Sequence, residues 1–284
     1  MKNPPIGVFD SGVGGLTVLK EIQRALPGES TLYLGDSRRA PYGSLPPDRI
    51  IRFTMEAMDY LHVTGVKAVV IACNSATSVA LEAAKLRLDV PVLGVIDPTA
   101  RRVAVGASSG IGVIGTEATI RSGAYARAIK QINPEARVVQ QACPALAGLV
   151  EQGDLDGVPT ALAIATYLMP ILEARVGTLV LGCTHYPFLR SAIQRILGEG
   201  VRLVESGPPL AADLLEMMDS GRLARAAGGV PVHRLTTTGD AGSFQRLASM
   251  LWPGEALKIE EVDIAVTNDL SPEPAPQPLF FPAS

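Results

Sequence analysis

Two segments of the chain repeat one pattern at an interval of 110 residues. VKAVVIACNSA (66–76) and VGTLVLGCTHY (176–186) each pass from an apolar run through a small residue to a cysteine, Cys73 and Cys183. Two further pairs lie at similar intervals, namely GVFDSG (7–12) with GVIGTE (112–117), and PVLGVID (91–97) with VRLVES (201–206). Because self-similarity at a constant interval indicates a duplicated structural unit, the chain is predicted to contain two related halves.

Short β-branched runs alternate with amphipathic segments along the chain. The runs are IGVF (6–9), TLYL (31–34), AVVIA (68–72), VLGVI (92–96), IGVIG (111–115), RVVQ (137–140), TLVLG (178–182), RLVE (202–205) and LTTTG (235–239). Between them, apolar residues recur at helical spacing, as in Ile50, Phe53, Thr54, Ala57 and Leu61, and in Ala161, Leu162, Ala165, Leu168 and Leu172. This alternation predicts an α/β fold of doubly wound domains with mostly parallel sheets.

The repeat also suggests where the domains begin and end. We expect a first α/β domain over 1–97 that is completed by 207–267, and a second over 98–206. The two halves would be pseudosymmetric, with the active site in the cleft between them. The proline-rich tail, 268–284, is predicted to be disordered.

Composition excludes several classes of protein. The 284 residues are 47% hydrophobic, which is enough to form a buried core. The formal net charge is only -3, so the composition does not indicate a surface that binds nucleic acid or membranes. The sequence contains neither an apolar run of transmembrane length nor a signal-like start, so we expect a cytoplasmic protein. Three cysteines do not form a disulfide framework and should stay as thiols.

Cys73 and Cys183 both follow apolar strands, where parallel sheets bind their ligands. Each is expected to precede a helix whose N-terminal dipole would favour the thiolate. A single cysteine after a strand is usually a small buried hydrophobic residue, but two at equivalent repeat positions favour a paired function. Cys143 has no counterpart in the repeat and is interpreted as structural.

Two glycine-containing loops supply further candidates. FDSGVGGLTVL (9–19) lacks both G-x-G-x-x-G and the Walker lysine, so nucleotide binding is disfavoured, and its glycines are expected to allow a tight turn. Asp10 is either a turn residue or a carboxylate that assists an acid or base, and Ser11 is a candidate for ligand binding. In GDSRRAPYGS (35–44), the Tyr42–Gly43 peptide either binds a substrate carboxylate or forms a surface turn.

The remaining chemistries can be weighed against these residues. The sequence has no paired ligand spacing of the C-x-x-C or H-E-x-x-H type, so a metal site is not indicated. The lysines are predicted at surfaces and element edges, which disfavours a pyridoxal Schiff base. His185 is either a capping residue or an acid/base partner of Cys183, but a Cys–His hydrolase would leave Cys73 unexplained. Two equivalent thiols fit proton transfer to and from two faces of a substrate better.

Several of these motifs together resemble the bacterial glutamate racemase family. They are DSGVGGLTVL, YLGDSRRAPYG, VIACNSAT, VIGTEATIRSGAY and LVLGCTHYPFL, which extend over about 1–210. The resemblance implies two pseudosymmetric α/β domains, an interdomain active site, no cofactor, and conversion between L- and D-glutamate. It also implies a supply of D-glutamate for peptidoglycan, and so a role in cell-wall synthesis and cell shape.

The resemblance assigns roles by matching positions. Cys73 is expected to act on D-glutamate and Cys183 on L-glutamate, with Asp10 and His185 supporting them and Glu151 assisting the second cysteine. Positions that match substrate-binding residues of the family are Asp10, Ser11, Tyr42, Gly43, Asn74, Ser75, Thr116, Thr119, Thr184 and His185. Ser75 stands where threonine is common, and both side chains offer a hydroxyl.

The sequence leaves some alternatives open. Related racemases that act on aspartate share the two-cysteine arrangement, and a regulatory protein that binds gyrase is a remoter alternative. The expected partner is a small amino-acid substrate, with no nucleic acid and no membrane. A homodimer is compatible with the sequence but is not indicated by it.

Overall fold

The computed structural model describes residues 3–105, 109–255 and 257–264. The predicted tail, 268–284, lies outside these residues. Within them, two parallel β-sheets are covered by helices on both faces, which confirms the predicted fold class. None of the helices in this part of the chain is long and apolar enough to cross a membrane.

The first sheet contains six strands in the order β10-β9-β2-β1-β3-β4. These are β1 (Ile6–Asp10), β2 (Thr31–Gly35), β3 (Ala68–Ile71), β4 (Val92–Gly94), β9 (His233–Thr237) and β10 (Ile259–Glu261). Its helices are α1 (Leu16–Ala25), α2 (Pro47–Val63), α3 (Asn74–Arg87) and α11 (Ala241–Leu251). The first three strands are fully buried, as expected for a sheet covered on both faces.

The second sheet contains four strands in the order β6-β5-β7-β8. These are β5 (Ile111–Gly115), β6 (Val138–Ala142), β7 (Thr178–Gly182) and β8 (Arg202–Glu205). The helices along this part of the chain are α4 (Ile96–Ala104), α5 (Glu117–Ser122), α6 (Ala124–Ile132), α7 (Pro144–Glu151), α8 (Val158–Glu173), α9 (Arg190–Leu197) and α10 (Gly207–Asp219).

The strand order confirms the internal repeat. In the first half β1 lies between β2 and β3, and in the second half β5 lies between β6 and β7. The registers correspond as well, because Ile6 is paired with Ala68 and Ile111 with Thr178. Cys73 and Cys183 therefore follow equivalent strands. After β8 the chain returns through α10, which packs on α1, and β9 and β10 then extend the first sheet beyond β2.

Two local predictions were wrong. The strand predicted over 92–96 ends at Gly94, since Ile96 already begins α4 and Pro98 suits the first turn of a helix. For α8, the predicted apolar face is wrong, because only Leu168 of that set is buried. The residues that face the core are Thr160, Ile164, Leu168 and Ile171. The helix is apolar on most sides, so its sequence pattern does not single out one face.

Candidate active site

The carboxyl ends of β1, β3, β5 and β7 meet around one small cavity of about 30 Å³. Both repeat cysteines line it, each from its own sheet. The lining consists of Ser11, Pro41, Tyr42, Gly43, Cys73, Asn74, Ser75, Thr116, Ala147, Cys183, Thr184 and His185. The cavity therefore lies between the two halves, as predicted, and two thiols face the same enclosed space.

Cys73 is the residue that caps α3. Its Sγ accepts a hydrogen bond from the Ala76 N–H at 3.5 Å and donates one to Ser11 Oγ at 3.5 Å. Burial, together with the negative charge of Asp10, nevertheless raises the pKa of Cys73 to about 12. The Ala76 N–H at the start of α3 favours the thiolate, as expected, but removal of the thiol from water has the larger effect in this state of the site.

Asp10, at the end of β1, is fully buried. Its Oδ2 accepts the N–H groups of Gly12 and Gly15, at 3.2 and 2.9 Å, and so organises the glycine loop. Its Oδ1 faces the other half and accepts from Thr184 Oγ1 at 3.4 Å. Burial raises the pKa of Asp10 to about 6, against the lowering effect of the His185 charge and these hydrogen bonds. The carboxylate is thus both a turn residue and a charged group behind the cavity.

Cys183 is connected to two further ionisable groups. Its Sγ lies 3.8 Å from His185 Nδ1, and His185 Nε2 lies 2.9 Å from Glu151 Oε1. Burial lowers the pKa of His185, but its hydrogen bonds to Cys183 and Glu151 outweigh this and raise the pKa to about 10. The same bond to His185 lowers the pKa of Glu151. The three side chains form a line from the cavity outward.

On this second side, one feature differs from the sequence-based expectation, and the position of Glu151 relative to the cavity is a further finding. Cys183 does not directly precede an α-helix, since a 3-10 turn, Tyr186–Leu189, separates it from α9. Glu151 does not line the small cavity. It lies at the end of α7 on the wall of an adjoining groove of about 760 Å³, which it shares with Gly12, Val13 and Ala40. Both repeat cysteines and His185 line the small cavity, which is therefore the candidate site.

Around the cavity the two halves are in contact through hydroxyl groups and at glycines. Ser75 Oγ lies 2.8 Å from Thr116 Oγ1, which in turn lies 3.0 Å from Thr119 Oγ1. A Cβ added at Gly43 would lie 2.7 Å from the Cβ of Thr116, and one at Gly14 would lie 2.5 Å from Thr184 Oγ1. The halves are therefore in close contact around the cavity, and only glycine permits this approach at either position.

The residues predicted for the site thus lie in one region. Asp10, Thr119 and Glu151 lie just outside the cavity, and the others line it. Sequence reasoning missed Pro41 and Ala147, which line the cavity but carry no polar side chain that would mark them. It also gave no role to Asp36, whose buried carboxylate accepts hydrogen bonds from Tyr42, Arg39 and Thr238 and so holds the Tyr42 loop. Asp36 lies in the motif YLGDSRRAPYG.

The donor set around the cavity suits an amino acid better than a metal ion. In the described part of the chain, no group of three or more His, Cys, Asp and Glu side chains is arranged to hold a metal. Asn74, with Nδ2 buried and without a partner among the described residues, offers a free donor to a carboxylate. Two thiols, hydroxyl groups and an amide donor can bind a small zwitterion and move its protons.

A sequence model of the Asp/Glu/Hydantoin racemase family matches residues 6–214. The chain belongs to this family. A glutamate racemase of Geobacter metallireducens is 46% identical over 265 residues, which are 93% of this chain and 98% of that protein. By this relationship the chain is an amino-acid racemase.

Two solved structures are similar over nearly their whole length. The glutamate racemase isoform RacE1 of Bacillus anthracis superposes with a TM-score of 0.87 at 38% identity, covering 93% of this chain and 98% of that one. The glutamate racemase of Francisella tularensis, solved in complex with D-glutamate, superposes with a TM-score of 0.86 at 32% identity, covering 93% and 99%.

Proposed function

We propose that this protein interconverts L- and D-glutamate, with Cys73 and Cys183 as the two acid/base groups. The observation that carries the proposal is that both thiols line one interdomain cavity from equivalent strand ends of two related sheets. One group on each side of the α-carbon is what inversion of that centre requires. Glutamate is favoured over aspartate because relatives that are 41–46% identical over nearly their whole length are glutamate racemases.

The α-hydrogen of an amino acid is a very weak acid, so the site must supply a base and stabilise the charge that develops. In the proposed step, the thiolate of one cysteine removes the α-proton, and its electron pair passes into an enolate-like carboxylate. The thiol of the other cysteine then donates its proton to the opposite face. The product leaves with inverted configuration, and the two sulfurs have exchanged their protonation states.

The surroundings of the two thiols suit different roles in the free enzyme. The raised pKa of Cys73 keeps that group a thiol at neutral pH, so it is the proton donor of the free enzyme. A positively charged His185, held by Glu151, stabilises negative charge on the sulfur of Cys183. We therefore propose that the described state is prepared for L-glutamate, which Cys183 deprotonates. Asp10, buried behind the glycine loop, supports Cys73 in the reverse reaction.

The amino and carboxylate groups of the substrate would be bound by residues of both halves. Asn74 Nδ2, the hydroxyls of Ser11, Ser75, Thr116 and Thr184, and the Tyr42–Gly43 peptide surround the cavity. Thr119 supports Thr116 from behind. Ligand pockets usually measure roughly 300–1,000 Å³, whereas this cavity measures about 30 Å³. We infer that the halves separate to admit substrate and close again for catalysis, which excludes water from the reaction.

Some consequences of the family relationship belong to the same proposal. Production of D-glutamate would serve peptidoglycan synthesis, in the cytoplasm where the amino acid is available. We propose no cofactor for the reaction, since the two thiols and their partners account for every proton transfer. The domain boundaries predicted from the repeat, with the hinge near 97 and 206, suit such a closing motion.

The test is racemisation of L- and D-glutamate by purified protein in D2O without added cofactor, followed by optical rotation and by deuterium at the α-carbon. Wild-type protein should invert both enantiomers, with deuterium in the product. Cys73→Ala and Cys183→Ala should each abolish inversion, whereas Cys143→Ala should retain it, because Cys143 is buried but does not line the cavity. Exchange on aspartate alone, or a fully active single variant of Cys73 or Cys183, would refute the proposal.

A further inference from the structure

The Asn74 amide is held in one orientation by a residue of the other half. Asn74 begins α3, in the first half, and its side chain is almost completely buried at the cavity. Its Oδ1 accepts a hydrogen bond from the Tyr125 hydroxyl at 2.7 Å. With the oxygen bound there, the Nδ2 group is turned away from Tyr125, and it has no partner among the described residues. A buried donor without a partner is costly, so it marks a place where a ligand oxygen is expected.

Tyr125 is itself held by the segment that connects the two halves. Its side chain, on α6, is fully buried, and its hydroxyl lies 3.3 Å from Ser206 Oγ. Ser206 follows β8 and precedes α10, where the chain passes from the second half back to the first. Because Tyr125 donates to Asn74, Ser206 is the group that donates to Tyr125. The result is a directed chain of hydrogen bonds from Ser206 through Tyr125 to Asn74.

Tyr125 remains a hydrogen-bond donor because its hydroxyl stays protonated. Burial raises the pKa of its phenol to about 12, so the hydroxyl keeps its proton over the whole range in which the protein would act. Each hydrogen bond in such a chain polarises the next and fixes its direction. A phenylalanine at this position would fill the same space but would leave Asn74 Oδ1 unpaired. The amide could then rotate and offer either its oxygen or its nitrogen to the cavity.

We propose that Tyr125 is a positioning residue for substrate binding, which orients the Asn74 amide so that Nδ2 donates to a carboxylate oxygen of the amino acid. This inference rests on the proposed function. Since Tyr125 and Asn74 belong to different halves, their bond forms only when the halves are together. The amide is therefore fixed in the closed site and released when it opens.

The test is a double-mutant cycle on Tyr125→Phe and Asn74→Ala, with kcat and KM measured for both glutamate enantiomers. Tyr125→Phe should raise KM roughly three- to tenfold, the range of one neutral hydrogen bond. In the Asn74→Ala background it should change KM by less than about twofold, because the group through which it acts is gone. Thr54→Val is the control, since it also removes a buried hydroxyl bond, Thr54 Oγ1 to Ile50 O, but within α2.

A merely structural role would lower the fraction of folded enzyme, and so the apparent kcat, without changing KM. Unchanged KM in Tyr125→Phe, or the same increase with and without Asn74, would therefore overturn the inference. If Tyr125→Phe does not fold, Ser206→Ala takes its place in the double-mutant cycle. Its expected rise in KM is smaller, about twofold. The same rise with and without Asn74 would again overturn the inference. If neither the wild-type protein nor Thr54→Val converts glutamate, the proposed function is refuted, and the inference with it.

Discussion

Substitution of Gly14 by alanine should disable the site by displacing His185. An added Cβ would lie 2.6 Å from His185 Nδ1 and 2.5 Å from Thr184 Oγ1, where ordinary contacts begin at 3.4 Å. His185 must therefore move by about 0.8 Å, the difference between 3.4 and 2.6 Å. Displacements of about 1 Å at a catalytic group cost on the order of 100-fold in rate. We expect kcat to fall roughly 30- to 100-fold.

The physical reason is that His185 lies between two partners. It is held by Glu151 at 2.9 Å on one side and faces Cys183 at 3.8 Å on the other, so any shift lengthens one of these contacts. Overpacking of this kind also costs about 1–3 kcal/mol in the free energy of unfolding.

The assay measures kcat with each glutamate enantiomer together with Tm, and Gly28→Ala is the matched control. Apart from its chain neighbours, no atom of the described residues lies within 4 Å of a Cβ at Gly28, so this variant should keep its kcat. Racemisation by Gly14→Ala at a rate within twofold of Gly28→Ala would show that the contact does not position His185, and the reasoning would fail.

Three further predictions concern the contact between the halves and the ionisable groups. Gly43→Ala, whose Cβ would lie 2.7 Å from the Thr116 Cβ, should hold the site open and raise KM for glutamate roughly tenfold in steady-state kinetics, again with Gly28→Ala as the control. The pKa of His185 is raised to about 10, so the stability from its pair with Glu151 is fully present below pH 6.5 and is lost as the pH rises towards 10. The difference in Tm between wild type and Glu151→Gln should shrink over that range, and a constant difference would contradict the pairing. With its pKa raised to about 12, Cys73 should react with iodoacetamide at pH 8 at least about 100-fold more slowly than in urea-unfolded protein, by peptide mass spectrometry, and equal rates would contradict its burial as a thiol.

Much of the fold could be predicted because its signals are local. The β-branched runs at Ala68–Ile71 and Thr178–Gly182 are strands, and the buried face of α2 is the one that its periodicity indicates. The repeat placed the two cysteines at equivalent strand ends, which the common order of the two sheets confirms. In α8, by contrast, apolar residues occupy most sides of the helix, and only the packing against neighbouring elements decides that Ile164 is buried and Leu162 is exposed.

The sequence by itself determined the succession of strands and helices along the chain, the duplication and the residue types in the candidate site, since all of these follow from local patterns and from chain order. The tertiary structure alone decided the state of those residues. The pKa of Cys73 depends on burial by both halves and on Asp10, which lies 63 residues earlier in the chain (73 and 10). The orientation of Asn74 depends on Tyr125, which lies 51 residues later and on the other half. Desolvation and hydrogen-bond geometry arise only when distant segments meet, so no local pattern could have indicated them.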